Sequence, residues 1–221
     1  MSDEEWITVA TGTTNQTPDS EVVVPINTTP ICPNMTNAEF RKRIAEARDG
    51  ALKLVNIRIL ALSTLWSREQ TRVKRYFGSP NESIRSELLK GLISLCKVIE
   101  QLGPQNIVRY DAEMFKARGC MPNPNRQSGT VATVCGPDTA THTIAIDDPF
   151  CMLPNATFTN KDSMQLTLIH ECSHFFDTFS AIDVEEKYYG KFLTQRLAQE
   201  RPELALKNAD SVAWYVCDTD G

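Results

Sequence analysis

The stretch His170-Glu171-Cys172-Ser173-His174 constrains this chain more than any other. On a helix, residues four apart lie one above the other, so both imidazoles reach a single point in space. The residues before it favour such a helix. Asp162 and Ser163 are types that cap a helix N-terminus, and Met164 opens an apolar run. Leu168, Cys172, Phe175 and Phe179 then recur at helical spacing. They predict a buried stripe and a helix that ends near Phe179 and Ser180. The two histidines fall on a different face. Only three histidines occur in the whole chain, so their placement around a glutamate is not a product of abundance.

This pattern suits zinc chemistry. Zinc favours neutral imidazole nitrogens, takes four ligands, and in catalytic sites keeps one position for water. A glutamate between two such histidines is placed to take that water's proton and return it to a leaving amine. One zinc ion with Glu171 as base and acid therefore predicts amide hydrolysis. His170 and His174 supply two ligands. The third must be His142 or a carboxylate. Asp177 lies seven residues past His170, a rise of about 10 Å on a continuous helix, which suits a supporting role. Asp183, Glu185 and Glu186 follow the expected helix end, and Glu200 and Glu203 lie further on. His142 is read as an exposed strand residue.

Resemblance to a known family narrows the choice. From about residue 32 to 213 the chain resembles the aspzincin peptidases, which include deuterolysin and the peptidyl-Lys metalloendopeptidases. Thr167-Leu168-Ile169-His170-Glu171-Cys172-Ser173-His174-Phe175, Tyr76-Phe77-Gly78 and Asn208-Ala209-Asp210-Ser211 carry the likeness. The resemblance implies a third ligand from a Gly-Thr-x-Asp-x-x-Tyr-Gly motif shortly after the second histidine. Asp183 has matching spacing, with Ser180-Ala181 in place of Gly-Thr. However, five residues rather than two separate it from Tyr189-Gly190. Anchoring on Tyr189-Gly190 makes Glu186 the ligand instead. Asp183 is preferred, because a loop absorbs a short insertion more easily than a metal site absorbs a longer side chain. The resemblance also makes Tyr189 the donor to the oxyanion, with Tyr188 equal on chemistry alone. Asp210 is implied to line the pocket for the residue after the cleaved bond, where a carboxylate attracts a Lys ammonium. Ala213 stands where Lys-specific members carry a second acid, which predicts a looser preference for basic residues. Asp210 as a helix cap is the competing reading.

The implied fold is α+β and mostly helical: a zincin-like metallopeptidase with a small β-sheet and the motif on a central helix. Residues 1–31, rich in Thr, Pro and Asn, read as a flexible arm in which Val22-Val23-Val24-Pro25 could dock as an edge strand. Residues 32–221 form the catalytic domain. Apolar spacing predicts a long helix over 36–72 with Asn37 as a plausible cap, and a second over 81–102 closed by Gly103-Pro104. Residues 130–135 and 141–147 read as a hairpin, with 141–147 as the strand that holds substrate.

The partners expected are protein or peptide substrates. A net charge of −5 argues against nucleic acid, and no apolar run is long enough to span a membrane. The seven cysteines include no C-x-x-C pair. The resemblance implies Cys32–Cys120 and Cys135–Cys151 disulfides, while Cys96 and Cys172 fall on helical core stripes and read as free thiols. Disulfides imply an oxidising compartment, so the chain is expected to be secreted. The acidic start, Met1-Ser2-Asp3-Glu4-Glu5-Trp6, does not read as a signal peptide, which raises non-classical or toxin-type export as the alternative. A silent zincin-fold binding module, or a toxin acting on a non-peptide target, is the competing function. The intact Glu171 argues against silence.

Overall fold

The computed structural model describes residues 6–13, 21–121, 129–158 and 160–218. Within the arm, β1 (Trp6–Thr13) and β2 (Glu21–Asn27) pair antiparallel, with an irregularity between Thr8 and Ala10. The valines expected at an edge thus find their partner inside the arm itself.

The predicted long helix is two helices, α1 (Asn37–Thr64) and α2 (Trp66–Phe77). Thr36, not Asn37, caps α1: its hydroxyl accepts from the Glu39 N–H while Glu39 reaches back to the Thr36 N–H. The break at Leu65 has a tertiary cause. Arg85, from α3 (Glu82–Gln101), donates to the carbonyls of Leu62 and Ser63, and its guanidinium lies over the Trp66 ring. The carbonyls at the end of α1 are satisfied from outside, so the chain can restart at a new angle.

The second expected helix is α3, capped by Asn81. A 3-10 turn at Pro104–Asn106 leads into β3 (Ile107–Arg109) and then α4 (Ala112–Ala117). The hairpin appears as β4 (Ala132–Val134) and β5 (Ile144–Ile146), antiparallel, followed by α5 (Asp148–Cys151). The sheet order is β3-β5-β4, with β3 parallel to β5. This corrects one expectation: β5 is the central strand, with both edges paired, and cannot add a substrate strand. β4 is the edge.

The motif helix is α6 (Met164–Ser173), capped by Ser163, whose hydroxyl accepts from the Leu166 N–H. All its residues are buried. It lies among α1, α3, β4 and α9 (Ala209–Cys217), which accounts for its burial on every side. Between them run a 3-10 turn at Glu186–Tyr188, α7 (Lys191–Glu200) and α8 (Pro202–Ala205).

The Tyr76-Phe77-Gly78 motif has a packing explanation. Tyr76 and Phe77 both meet the Tyr215 ring edge-on. Gly78 closes α2 at φ +78°, and a Cβ there would sit 2.5 Å from the Ala198 carbonyl oxygen.

The disulfides are Cys32–Cys151 and Cys120–Cys135, not the pairs expected. The order of the sheet explains the exchange. Cys135, at the end of β4, meets the chain leaving α4 in a small core with Phe115 and Ala145. Cys151 lies by the segment before α1, where Asn34 donates to its carbonyl. Cys96, Cys172 and Cys217 are free thiols. No helix among the described residues is long and apolar enough to cross a membrane.

Candidate metal centre

α6 ends earlier than its stripe predicts. Ser173 is its last residue and His174 its cap. The Thr178 hydroxyl, with one proton to donate, lies within hydrogen-bond reach of the Cys172, Ser173 and Phe175 carbonyls and so closes the helix from outside. Phe179 therefore lies in the turn, against Gly91 of α3, where a methyl group would overlap its ring. The chain reverses at Ser180, which has φ +51°, a conformation that glycine adopts without strain and serine does not. Ala181 N–H then donates to the Ser173 carbonyl. Ile182 bridges to Asn208, whose side-chain oxygen accepts from the Val184 N–H. This short strand-like segment returns Asp183 to the two histidines.

Three donor atoms converge. His170 Nε2 and His174 Nε2 lie 3.2 Å apart. Asp183 Oδ1 lies 3.2 Å from the first and 3.7 Å from the second. Ligands at the usual zinc distances on tetrahedral corners stand about 3.3 Å from one another. The triangle therefore fits one zinc ion without rearrangement. Among the described residues this is the cluster of His, Cys and acidic side chains with metal-ligand spacing.

The other ring nitrogens are also engaged. His170 Nδ1 lies 3.1 Å from Asp210 Oδ1, and His174 Nδ1 lies 2.8 Å from the Ala181 carbonyl oxygen. With each Nδ1–H donating, both Nε2 atoms face the common point with their lone pairs. The second Asp210 oxygen accepts from the Gly190 N–H. Asp210, expected to line a substrate pocket, is only 6% exposed and uses both carboxylate oxygens on these partners. Ala213 is buried.

The electrostatics match the geometry. Burial disfavours charge on His170, but the Asp183 and Asp210 carboxylates outweigh it and raise its pKa well above the usual value. Burial and the neighbouring His170 lower His174. Burial raises Asp183, yet the hydrogen bond to His170 and the charges of both histidines bring it down to about 2. A site that draws a proton onto His170 is one that attracts a cation. Glu171 is buried, and its charge is felt by both His170 and Tyr189.

The two tyrosines separate clearly. The Tyr189 ring stacks on His170 at 6.2 Å between centroids, and its hydroxyl pairs with Asp183. Burial and the Asp183 charge push its pKa up, which keeps the phenol protonated. Tyr188 turns into the core, with its hydroxyl donating to Glu200 at 3.1 Å. Glu185 faces Lys187 and Arg201 on the surface. The Glu186 side chain lies outside the described set.

His142 is not the exposed strand residue expected. It precedes β5 at φ +45°, is 8% exposed, meets the Phe175 ring edge-on, and has Asp177 at 3.0 Å. Asp177 therefore serves His142 rather than the two motif histidines, because α6 ends before it. Residue reading missed Asn208, the Ala181 carbonyl and the Gly190 N–H. Each lies in a stretch quoted for the family likeness, Asn208 in Asn-Ala-Asp-Ser, Ala181 in Ser180-Ala181 and Gly190 in Tyr189-Gly190, but nothing in the sequence marked the contact it makes.

Comparison with known proteins bears on the fold and the family. No curated protein is similar enough in sequence to count as a relative. A zinc peptidase from Grifola frondosa shares the fold, with a TM-score of 0.60 and 22% identity over 80% of this chain and 94% of that one. The aspzincin family, described as lysine-specific metallo-endopeptidases, matches residues 63–217. The chain thus belongs to the aspzincin family and is a zinc metalloendopeptidase.

Proposed function

We propose that His170, His174 and Asp183 hold a single catalytic zinc ion and that Glu171 and Tyr189 carry out peptide-bond hydrolysis around it. The observation that supports this most is the triangle of donor atoms at 3.2, 3.2 and 3.7 Å. Bound zinc supplies Lewis acidity toward the scissile carbonyl and lowers the pKa of its water to about 7. Glu171 takes the proton from the attacking water and delivers it to the leaving amine. Tyr189, kept protonated, donates to the carbonyl oxygen as negative charge develops there. The phenol is drawn to Asp183 in the resting state and moves to the oxyanion as the reaction proceeds. Asp210 and the Ala181 carbonyl fix the tautomers of His170 and His174.

The outer edge of β4 is the strand that holds extended substrate. It lies beside α6, and Gly136, just beyond it, accepts from the Phe176 N–H two residues past His174. A preference for Lys after the cleaved bond follows the family's description. Asp210 favours a cation nearby, and Asp162 is a further carboxyl close enough to feel the Asp210 charge. The two disulfides suit an extracellular setting.

A casein digest with zinc-loaded wild type and Glu171→Gln tests the reading. Wild type should cleave, and the variant should be slower by about 10²–10⁴-fold with zinc retained. Equal rates would remove Glu171 from the chemistry. Two inactive proteins with zinc bound would remove the peptidase mechanism.

A further inference from the structure

Tyr189 is 42% exposed and belongs to no helix or strand, yet the proposed mechanism needs its ring held over His170 while its hydroxyl turns from Asp183 to the oxyanion. The two residues after it are anchored at opposite ends of one helix. Gly190 N–H donates to Asp210, in the first turn of α9. Lys191 turns inward: its side chain is 5% exposed, and Nζ lies 2.7 Å from Oδ1 of Asp218, the C-cap of α9.

The choice of lysine here is costly. Lysine is among the residues least often buried, and removing an ion pair from water carries a desolvation penalty. Lys191 is also the first residue of α7, the end at which a positive charge opposes the helix dipole. Asp218 does not depend on it for neutralisation. The carboxylate also has the Tyr76 hydroxyl at 2.7 Å, Arg75 at 3.3 Å and Arg72 at 3.8 Å, and Arg72 donates to its carbonyl. The anchor exists without Lys191; what Lys191 adds is the attachment of the chain just after Tyr189.

We propose that Lys191 is a positioning residue for catalysis: its ion pair with Asp218 braces the start of α7 against α9 and so holds Tyr189 over His170. The inference rests on the reading of Tyr189 as oxyanion donor. Asp210 supplies the other end of the brace, since it touches both His170 and Gly190. α9 thereby sets the distance between a metal ligand and the tyrosine, with Asp210 holding the ligand side and Asp218 the far side. The arrangement is rigid because α9 is buried along its whole length.

A double-mutant cycle on the zinc-loaded enzyme decides the matter, with kcat, KM and bound zinc measured for wild type, Lys191→Met, Tyr189→Phe and the double variant. Lys191→Met should lower kcat by about 10–100-fold, the scale of a small misplacement at a reacting centre. KM and zinc content should stay near wild type. The double variant should be no slower than Tyr189→Phe, and Lys191→Arg should recover most of the loss. If the Met variant does not fold, Lys191→Gln takes its place, with a donor but no charge. Wild-type kcat in the Lys191 variant would overturn the proposal. So would an equal loss in the Tyr189→Phe background, which is the mark of a merely structural role. Unchanged kcat in Tyr189→Phe alone would instead overturn the oxyanion reading, and the proposal with it.

Discussion

The two halves of the site are held by different means. The motif lies on one buried helix, Met164–Ser173, with His174 as its cap, and the spacing of its residues alone brings His170 and His174 together. Residues 175–190 form no α-helix and are largely exposed, yet they carry Asp183 and Tyr189. Their positions depend on partners elsewhere: Thr178 against the end of α6, Asn208 on Val184, and Asp210 on Gly190. The first half is rigid because it is buried. The second is placed by a few directed hydrogen bonds, so single changes there should be felt in the chemistry more than in the fold.

This contrast can be broken most sharply at the tyrosines. Tyr189→Phe should reduce kcat by about 10²–10³-fold, as loss of one oxyanion donor does elsewhere. Tyr188→Phe, whose hydroxyl only meets Glu200, should leave kcat close to wild type. Steady-state kinetics on one peptide substrate would compare them, and equal effects would void the distinction drawn between the two phenols. A smaller effect is expected behind the metal. Asp210→Asn should weaken zinc binding by about 10–100-fold, as read by competition with a chelator, because His170 loses the carboxylate at its Nδ1. Unaltered affinity would mean that Asp210 serves the substrate alone. The smallest effect sharpens the account of the turn. Ser180→Gly should stabilise the protein by about 0.5–1 kcal/mol, the relief of a left-handed serine less the entropy that glycine loses on folding. Thermal unfolding would register it, and a lower melting temperature would show that the Ser180 side chain itself matters.

The same contrast explains what was legible beforehand. His170, Glu171 and His174 could be read because a helix converts spacing into geometry. The stripes of α1 and α3 could be read for the same reason, and the β4–β5 hairpin from its turn residues. The break at Leu65 could not, since Arg85 causes it from another helix. Nor could the end of α6: apolar spacing runs on to Phe179, but the chain leaves the helix at His174 and Phe179 packs on Gly91. That error kept Asp177 on the motif helix as a support for its two histidines. The placement of His142 failed similarly, because its partners, Phe175 and Asp177, come from that same turn. The disulfides failed because pairing depends on the order of strands in space. Asp183 was reached through a family motif and not from helical spacing. Ser180 takes the left-handed conformation that glycine favours, and a 3-10 turn at Glu186–Tyr188 precedes Tyr189.

The central claim is that the return segment delivers Asp183 to the two histidines as the third zinc ligand. Metal analysis of purified Asp183→Ala beside Glu186→Ala and wild type tests it most directly. The account predicts one zinc per chain in wild type and Glu186→Ala, and loss of zinc from Asp183→Ala. A full complement of zinc in Asp183→Ala would contradict it.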